Sequence, residues 1–325
     1  MAYINDKPVS LVKASAGRSA PKIGFGAKAL RDWKLNKSLY FIILPVIIFY
    51  VMFAYKPMYG AMIAFKDFSP RLGILGSEWV GLKYFEQFFG SPYFSRILRN
   101  TLWISFCSIV FSFPMPIILA LLVNELKNKA FSSAVKTISY LPHFISLVVV
   151  CSMVKEFTSD TGVINDFLSL FGAQRTTMLI NPKLFVPVYI VSDIWQGVGW
   201  GSIIYLAALS GISQDLYEAA RIDGAGKWKQ MLHVTIPGIM PTVITMLILR
   251  IGNVMNVGFE KIILLYNSIT YETADVISSF VFRKGIVEQN YSFSTAVGLF
   301  NSVINCIFII AANTVCNKLG ENSLW

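Results

Sequence analysis

The sequence predicts an all-α integral membrane protein with six transmembrane helices, and three observations carry that prediction. Hydrophobic residues make up 55% of the 325-residue chain and charged residues only 14%, where a soluble domain carries about 25%. Six stretches are long enough and poor enough in charge to cross a bilayer, which takes about 20 apolar residues. Lys and Arg are denser in one alternate set of connecting segments than in the other, as they are on the two sides of a membrane.

The elements follow in order. Residues 1–37 are polar, with eight Lys/Arg and two Asp. They read as a cytoplasmic N-terminal tail with a short surface helix near Ala27–Lys34, and they lack the form of a secretory signal. The first span is Ser38–Tyr55 and the second Thr101–Val123, with Pro114 and Pro116 inside it. The third, Thr137–Val154, contains Pro142. The fourth is Leu184–Leu209, the fifth Pro237–Gly258 and the sixth Phe293–Val315. One charge interrupts each of the fourth and fifth, Asp193 and Arg250. Between spans, Leu82, Phe85 and Phe89 recur at helical spacing, as do Val163, Ile164, Phe167, Leu168 and Phe171. Val276, Ile277, Phe280 and Val281 do so again. These predict short helices on the outer membrane face or against the bundle.

With the N-terminus inside, the inner segments 1–37, 124–136, 210–236 and 316–325 hold fifteen Lys/Arg against seven Asp/Glu. The outer segments 56–100, 155–183 and 259–292 are longer and hold twelve against ten. Both termini are therefore expected in the cytoplasm, although the asymmetry leans on the tail. The basic balance reflects topology. No basic patch with interleaved aromatics points to nucleic acid. Cys107, Cys151, Cys306 and Cys316 lie in or at the end of apolar stretches without ligand spacing, and read as small buried hydrophobes. With only His143 and His233 in the chain, no His-based metal site is expected, and no cofactor is implied.

The most informative stretch is Ser213–Pro237, polar, mixed in charge and clamped between the fourth and fifth spans. Ser213 suits a helix N-cap. Leu216, Ala219, Ala220 and Asp223 then share one helical face. Gly224 permits the positive φ that ends a helix. A second short helix, roughly Gly226–His233, is expected next, and Pro237 suits the first turn of the fifth span.

Glu218-Ala219-Ala220, three residues, Gly224, nine residues and Val234-Thr235-Ile236-Pro237 resemble the EAA loop of permease subunits of bacterial binding-protein-dependent ABC importers. Val234 and Ile236 replace the family's Ile and Leu. The resemblance implies a type I ABC importer permease fold in which this loop is the coupling helix docked on an ATPase subunit. Glu218, Ala219, Ala220, Gly224 and Pro237 would be its coupling residues. It further implies two ATPase subunits, a second and unlike permease, an extracytoplasmic solute-binding protein, and a place in the bacterial cytoplasmic membrane, in contact with its lipids. The chain has no phosphate-binding glycine motif of its own, so it is not expected to be an enzyme. The implied division is a tail (1–37), a first helix with an extracytoplasmic segment (38–96), a transmembrane domain (97–317) including the loop 210–236, and a C-terminal tail (318–325).

Other stretches narrow the branch. Tyr55-Lys56-Pro57-Met58-Tyr59-Gly60, Ala64-Phe65-Lys66-Asp67-Phe68, Trp79-Val80-Gly81-Leu82, Tyr140-Leu141-Pro142-His143-Phe144, Asn256-Val257-Gly258-Phe259-Glu260 and Glu321-Asn322-Ser323-Leu324-Trp325 are similar to permeases that import oligosaccharides and polysaccharide fragments, alginate-type systems included. The resemblance implies that a carbohydrate is moved by alternating access. Its path candidates are Asp193, Trp195, Arg250, Asn253, Asn256, Asn301 and Asn305. The four asparagines serve equally well as hydrogen bonds between helices, and Trp195 and Trp200 as packing or interfacial residues. At about 1.5 Å per residue, Asp193 and Arg250 lie at equal depth, about 12–14 Å below the outer face, which suits either pairing between them or two charges that separately face an aqueous cavity. Intramembrane charges also suit an ion-coupled secondary transporter. A permease for a non-sugar solute is the other alternative. A membrane enzyme would have only His143 and Asp193 to work with, and no nucleophile–base pairing is visible.

Overall fold

The computed structural model describes Trp33 and residues 35–318, and the chain divides into two units, Met1–Tyr59 and Gly60–Trp325. The tail helix expected near Ala27–Lys34 and the C-terminal residues 319–325 lie outside the described residues, Trp33 aside. Helices of seven residues or more are numbered in chain order.

In the first unit, α1 (Lys37–Tyr50) is apolar on every side and buries none of its side chains. A wide π-helical turn, Val51–Tyr55, follows it.

The second unit is almost wholly helical. Its only strands among the described residues, β1 (Lys66–Asp67) and β2 (Glu78–Trp79), form a two-residue antiparallel pair. After α2 (Lys83–Phe89) come α3 (Phe94–Cys107) and α4 (Pro114–Asn124), which make one continuous helix through a π turn at Ser108–Ser112. Then follow α5 (Lys129–Tyr140), α6 (Leu147–Phe157), α7 (Val163–Ser169), α8 (Pro182–Ser210), α9 (Gln214–Ile222), α10 (Ile236–Gly252), α11 (Phe259–Leu265) and α12 (Tyr291–Lys318).

Prolines shape these helices. Three π turns end on the residue before a proline: Lys56 N–H donates to the Val51 carbonyl, Phe113 to Ser108 and Ile236 to Met231, ahead of Pro57, Pro114 and Pro237. A proline lacks the N–H for the carbonyl four residues back, and its ring clashes with it. Widening the preceding turn relieves that clash without breaking the helix. This overturns one expectation. Pro237 does not begin a helix. The run Lys227–Gly252 is continuous, and the second short helix of the loop flows into the fifth span.

Four helical runs among the described residues are long and apolar enough to cross a membrane: Lys37–Phe65, Phe94–Asn124, Lys227–Gly252 and Tyr291–Lys318. The third expected span is not straight. Lys129–Phe144 and Leu147–Phe157 meet at 100°. Pro142 sits in a tight turn there, and Ile145 and Ser146 are extended, with ψ of 134° and 137°. The fourth expected span exists as the 29-residue α8, about 43 Å long at 1.5 Å per residue. It is less apolar than the others because it is the central helix. Ser192, Gly199, Ser202 and Tyr205 face protein rather than lipid. The fifth ends at Gly252, not Gly258, since Asn253 caps it and the chain turns through 253–257.

Helices in a bilayer gain little from hydrophobic burial, so close approach and buried polar ties decide how they pack. Gly199 brings α8 against α5: a Cβ there would clash with the Ser139 carbonyl oxygen. Asn100 on α3 donates to the carbonyls of Glu272 (2.9 Å) and Asp275 (3.1 Å). The fully buried Asp275 carboxylate accepts two hydrogen bonds from Arg283, at 2.7 and 3.2 Å, and one from Ser279. Arg96 lies 3.6 Å away. Burial would lower the Arg283 pKa, but the bonds to and charge of Asp275 prevail and hold it above the ordinary guanidinium value. The segment 259–290 is thereby locked onto α3. Two of the three predicted outer helices pack inward, through Phe88 and through Ile277 and Phe280. The other, α7, keeps Val163, Phe167, Leu170 and Phe171 exposed.

Candidate functional site: a polar cavity and the EAA loop

The turn after α10 brings the predicted path residues together. Asp193 and Tyr189 on α8, Ser105 and Ser108 on α3 and its π turn, and Arg250, Asn253 and Asn256 around the end of α10 line one cavity of about 180 Å³, room for about six waters. Arg250 Nη2 donates to Ser108 Oγ. Ser105 Oγ donates to the Val254 carbonyl, which fixes the turn to α3.

The expected pair of Asp193 and Arg250 is replaced by a different one. Both residues border the cavity, yet Asp193 has Lys261 as its ion partner, at 4.0 Å. Lys261 is 4% exposed and sits over the Tyr189 ring at 5.3 Å. Its ammonium makes no hydrogen bond. Burial pushes its pKa below the ordinary lysine value, and Asp193 opposes that shift. A charge pair of this kind leaves Arg250 as the cation in the cavity without a carboxylate partner among the described residues. Lys261 was missed because the sequence assigns it to an outer loop. Its signal was weak: Lys261 sits among Phe259, Ile262, Leu264 and Leu265, on a short apolar stretch.

The asparagines divide. Asn253 and Asn256 lie beyond the helix and border the cavity. Asn301 Nδ2 donates to Asn256 Oδ1 at 2.6 Å, and Asn305 Oδ1 accepts from the Met255 N–H at 2.9 Å. These two, both buried on α12, hold the turn in place. Trp195 is exposed and is not among the residues bordering the cavity. Trp200 stacks on His143, with ring centroids 4.5 Å apart and planes 4° apart. Both rings are exposed, and Trp200 does not border the cavity either. Cys107 and Cys151 are buried as expected, but Cys306 is exposed on α12 and Cys316 is half-buried.

The EAA loop has the form its sequence dictates. Ser213 Oγ accepts from the Asp215 N–H at 3.2 Å and caps α9. At the other end the Gly224 N–H donates to Arg221 and the Ala225 N–H to Ala220, with Gly224 at φ +75°. This pair of bonds around a left-handed glycine closes a helix and satisfies its last carbonyls. Glu218 and Ala219 are exposed and Ala220 is half-buried. Leu216, Ile222 and Trp228 are also exposed, an apolar surface that the small-residue face did not foretell. Tyr217 Oη meets Thr235 Oγ1 at 3.0 Å and Lys227 pairs with Glu125 at 2.8 Å, which ties the loop to the π turn before Pro237 and to the end of α4.

Comparisons with known proteins place the chain in one family. The chain is 42% identical over 311 residues to Protein LplB of Bacillus subtilis (strain 168), covering 95% of this chain and 98% of that protein. It is 43% identical over 291 residues to the polygalacturonan/rhamnogalacturonan transport system permease protein YteP of the same organism, covering 89% and 91%. A chain of a bacterial alginate ABC transporter, crystallised in complex with an alginate pentasaccharide-bound periplasmic protein, superposes with a TM-score of 0.84 at 42% identity, over 91% of this chain and all of that one. A chain of a bacterial ABC transporter involved in import of the acidic polysaccharide alginate superposes with a TM-score of 0.82 at 44% identity, over 90% of this chain and 99% of that one. Since residues 112–317, which hold Asp193, Arg250 and the whole EAA loop, match the family described as binding-protein-dependent transport system inner membrane component, the chain belongs to that family.

Proposed function

We propose that this chain is the permease half of an ATP-driven importer that moves an oligosaccharide or polysaccharide fragment across the cytoplasmic membrane by alternating access. One observation carries the reading: relatives at 42–44% identity over about nine-tenths of the chain are named for transport of polygalacturonan/rhamnogalacturonan or alginate. A cavity lined by Asn253, Asn256, Ser105, Ser108, Asp193 and Arg250 supports it, because amides, hydroxyls and charges replace the water that sugar hydroxyls lose. Asp193, Arg250, Asn253 and Asn256 face the sugar. Asn301 and Asn305 set the turn that presents them.

The loop around Glu218, Ala219, Ala220 and Gly224 docks on one of two ATPase subunits, with Pro237 just after the π turn through which motion passes into α10. A second, unlike permease completes the path, and an extracytoplasmic binding protein delivers the sugar. Both termini lie in the cytoplasm, as the Lys/Arg distribution favours. The division that goes with this reading is an N-terminal tail (1–37), a first helix with its extracytoplasmic segment (38–96), the helix bundle (97–317) and a C-terminal tail (318–325).

The test is uptake of a radiolabelled uronic-acid oligosaccharide by cells that carry the assembled system. Uptake is expected to survive collapse of the ion gradients and to stop on ATP depletion or deletion of the binding protein. Uptake that follows the ion gradient, or that this chain catalyses alone, overturns the proposal.

A further inference from the structure

A second cavity, of about 910 Å³, shares no residue with the polar cavity. It lies between α3 and α8, lined by residues of these helices other than Ser105, Tyr189 and Asp193. Its rim is charged, with Arg99, Lys183 and Glu272. Below the rim the walls are apolar. Trp103 and Phe111 line it along α3 and its π turn, and Ile190 and Ile194 along α8.

The dimensions suit one leaflet of a bilayer. From Arg99 to Phe111 and from Lys183 to Ile194 the walls run about 17 Å at 1.5 Å per residue. Half of a hydrocarbon core is about 15 Å. The charge suits a phosphate. Arg99 makes one long hydrogen bond, 3.4 Å to the Glu272 carbonyl, which leaves most of its guanidinium donors available. Lys183 is exposed and has no carboxylate within 4.0 Å among the described residues. Two cations at the mouth of an apolar slot one leaflet deep match an amphiphile with an anionic head and a long chain, and do not match a sugar, which has no apolar tail.

We propose that this groove is a binding site for a membrane phospholipid. The phosphodiester sits between Arg99 and Lys183, and one acyl chain runs down past Trp103 to Phe111 and Ile194. The lipid belongs to the leaflet on the side of the segment 259–290, and it seals α3 to α8 where Glu272 and Asp275 accept from Asn100. The inference requires only that α3 and α8 cross the bilayer, and does not depend on which solute is carried.

The experiment uses the importer assembled with its partner subunits, in vesicles doped with phosphatidylglycerol that carries a photoreactive diazirine on its acyl chain. After irradiation, label is expected to concentrate on residues 99–111 and 183–194 of this chain. In the Arg99→Gln/Lys183→Gln variant it should fall at least five-fold, and in Ile194→Trp, which fills the deep end but spares the rim, by a similar factor. Soluble glycerophosphate at millimolar concentration should not compete. Both variants are first checked for an unchanged yield of assembled complex. Should one fail to assemble, the other and the competition arm decide. Label spread evenly over α10 and α12 overturns the proposal. So does competition by glycerophosphate, which would make this a site for a free phosphate. Capture of the second permease by a photoreactive residue placed at Trp103 also overturns it, because a protein helix would then fill the groove.

Discussion

Lys261 carries a positive charge into a site that is nine-tenths enclosed and gives it no hydrogen bond, only Asp193 at 4.0 Å and the face of Tyr189. Removing one member of a buried pair costs more than the pair is worth, because the other is left charged and desolvated. Lys261→Met or Asp193→Asn alone should therefore destabilise the assembled complex by about 1–3 kcal/mol, below the fully buried range of 3–5 because Asp193 is 34% exposed. The double variant should recover at least half of the loss, read as the thermal midpoint in detergent. Equal and additive losses would show that the two charges do not interact. Arg250→Gln should behave differently. It removes a cation that holds only Ser108, so assembly should persist while uptake of an acidic oligosaccharide falls at least ten-fold. An undiminished uptake rate would remove Arg250 from the path. At this scale the sequence was informative about depth and silent about direction. Counting residues along two spans put Asp193 and Arg250 at one level, and they do border one cavity. Nothing in a one-dimensional count shows that the chain turns at Asn253 and brings Lys261 back to claim the carboxylate.

At the scale of elements, two glycines make opposite demands and give an internally controlled test. Gly224 has φ +75° and open space where a Cβ would go. Its need is purely conformational, and a branched side chain there costs about 1–2 kcal/mol. Gly224→Val should misdirect the chain between α9 and Lys227. Membrane levels should stay normal while coupling of ATP hydrolysis to uptake is lost, and Gly224→Asn should be milder, since Asn tolerates the left-handed region. Gly199 has an ordinary φ and no space, with the Ser139 carbonyl against its Cβ position. Gly199→Ala should cost about 1–3 kcal/mol through overpacking, whereas Gly197→Ala, which meets nothing within 4 Å on the same helix, should be neutral. If the two alanine variants melt alike, the α5–α8 contact is not a tight one. The cap, the turn glycine and the loop helix were readable because each depends on neighbours in sequence. The 100° break at Ile145 and Ser146 was not: Pro142 marks a weak point, and only packing decides whether the helix runs on through such a point, as at Pro114, or breaks.

For the molecule as a whole, the apolar segments identified a helical membrane protein with most of its spans, and the one that departs in composition is α8. It is helical from Pro182 to Ser210 yet less apolar than a lipid-facing helix, because its neighbours, and not lipid, surround much of it. A helix in that position couples everything packed on it, and the last prediction separates what holds the molecule together from what moves it. Asp275 is fully buried and is shared by Arg283, Ser279 and Arg96, with its own carbonyl accepting from Asn100 on α3. Asp275→Ala leaves Arg283 charged and unpaired in a low-dielectric site. A loss of about 3–5 kcal/mol is expected, seen as a lower yield of complex and a lower melting midpoint. Glu218 stands exposed on α9 and makes no ion pair among the described residues. Glu218→Lys should shift stability by no more than about 0.5 kcal/mol, yet lower both ATPase association and uptake, because a surface that docks on another subunit is sensitive to its charge. The two variants should thus fail in opposite ways: Asp275→Ala gives less complex that works per molecule, and Glu218→Lys gives normal amounts that do not. A Glu218→Lys importer with normal uptake would count against the proposed coupling role of the loop.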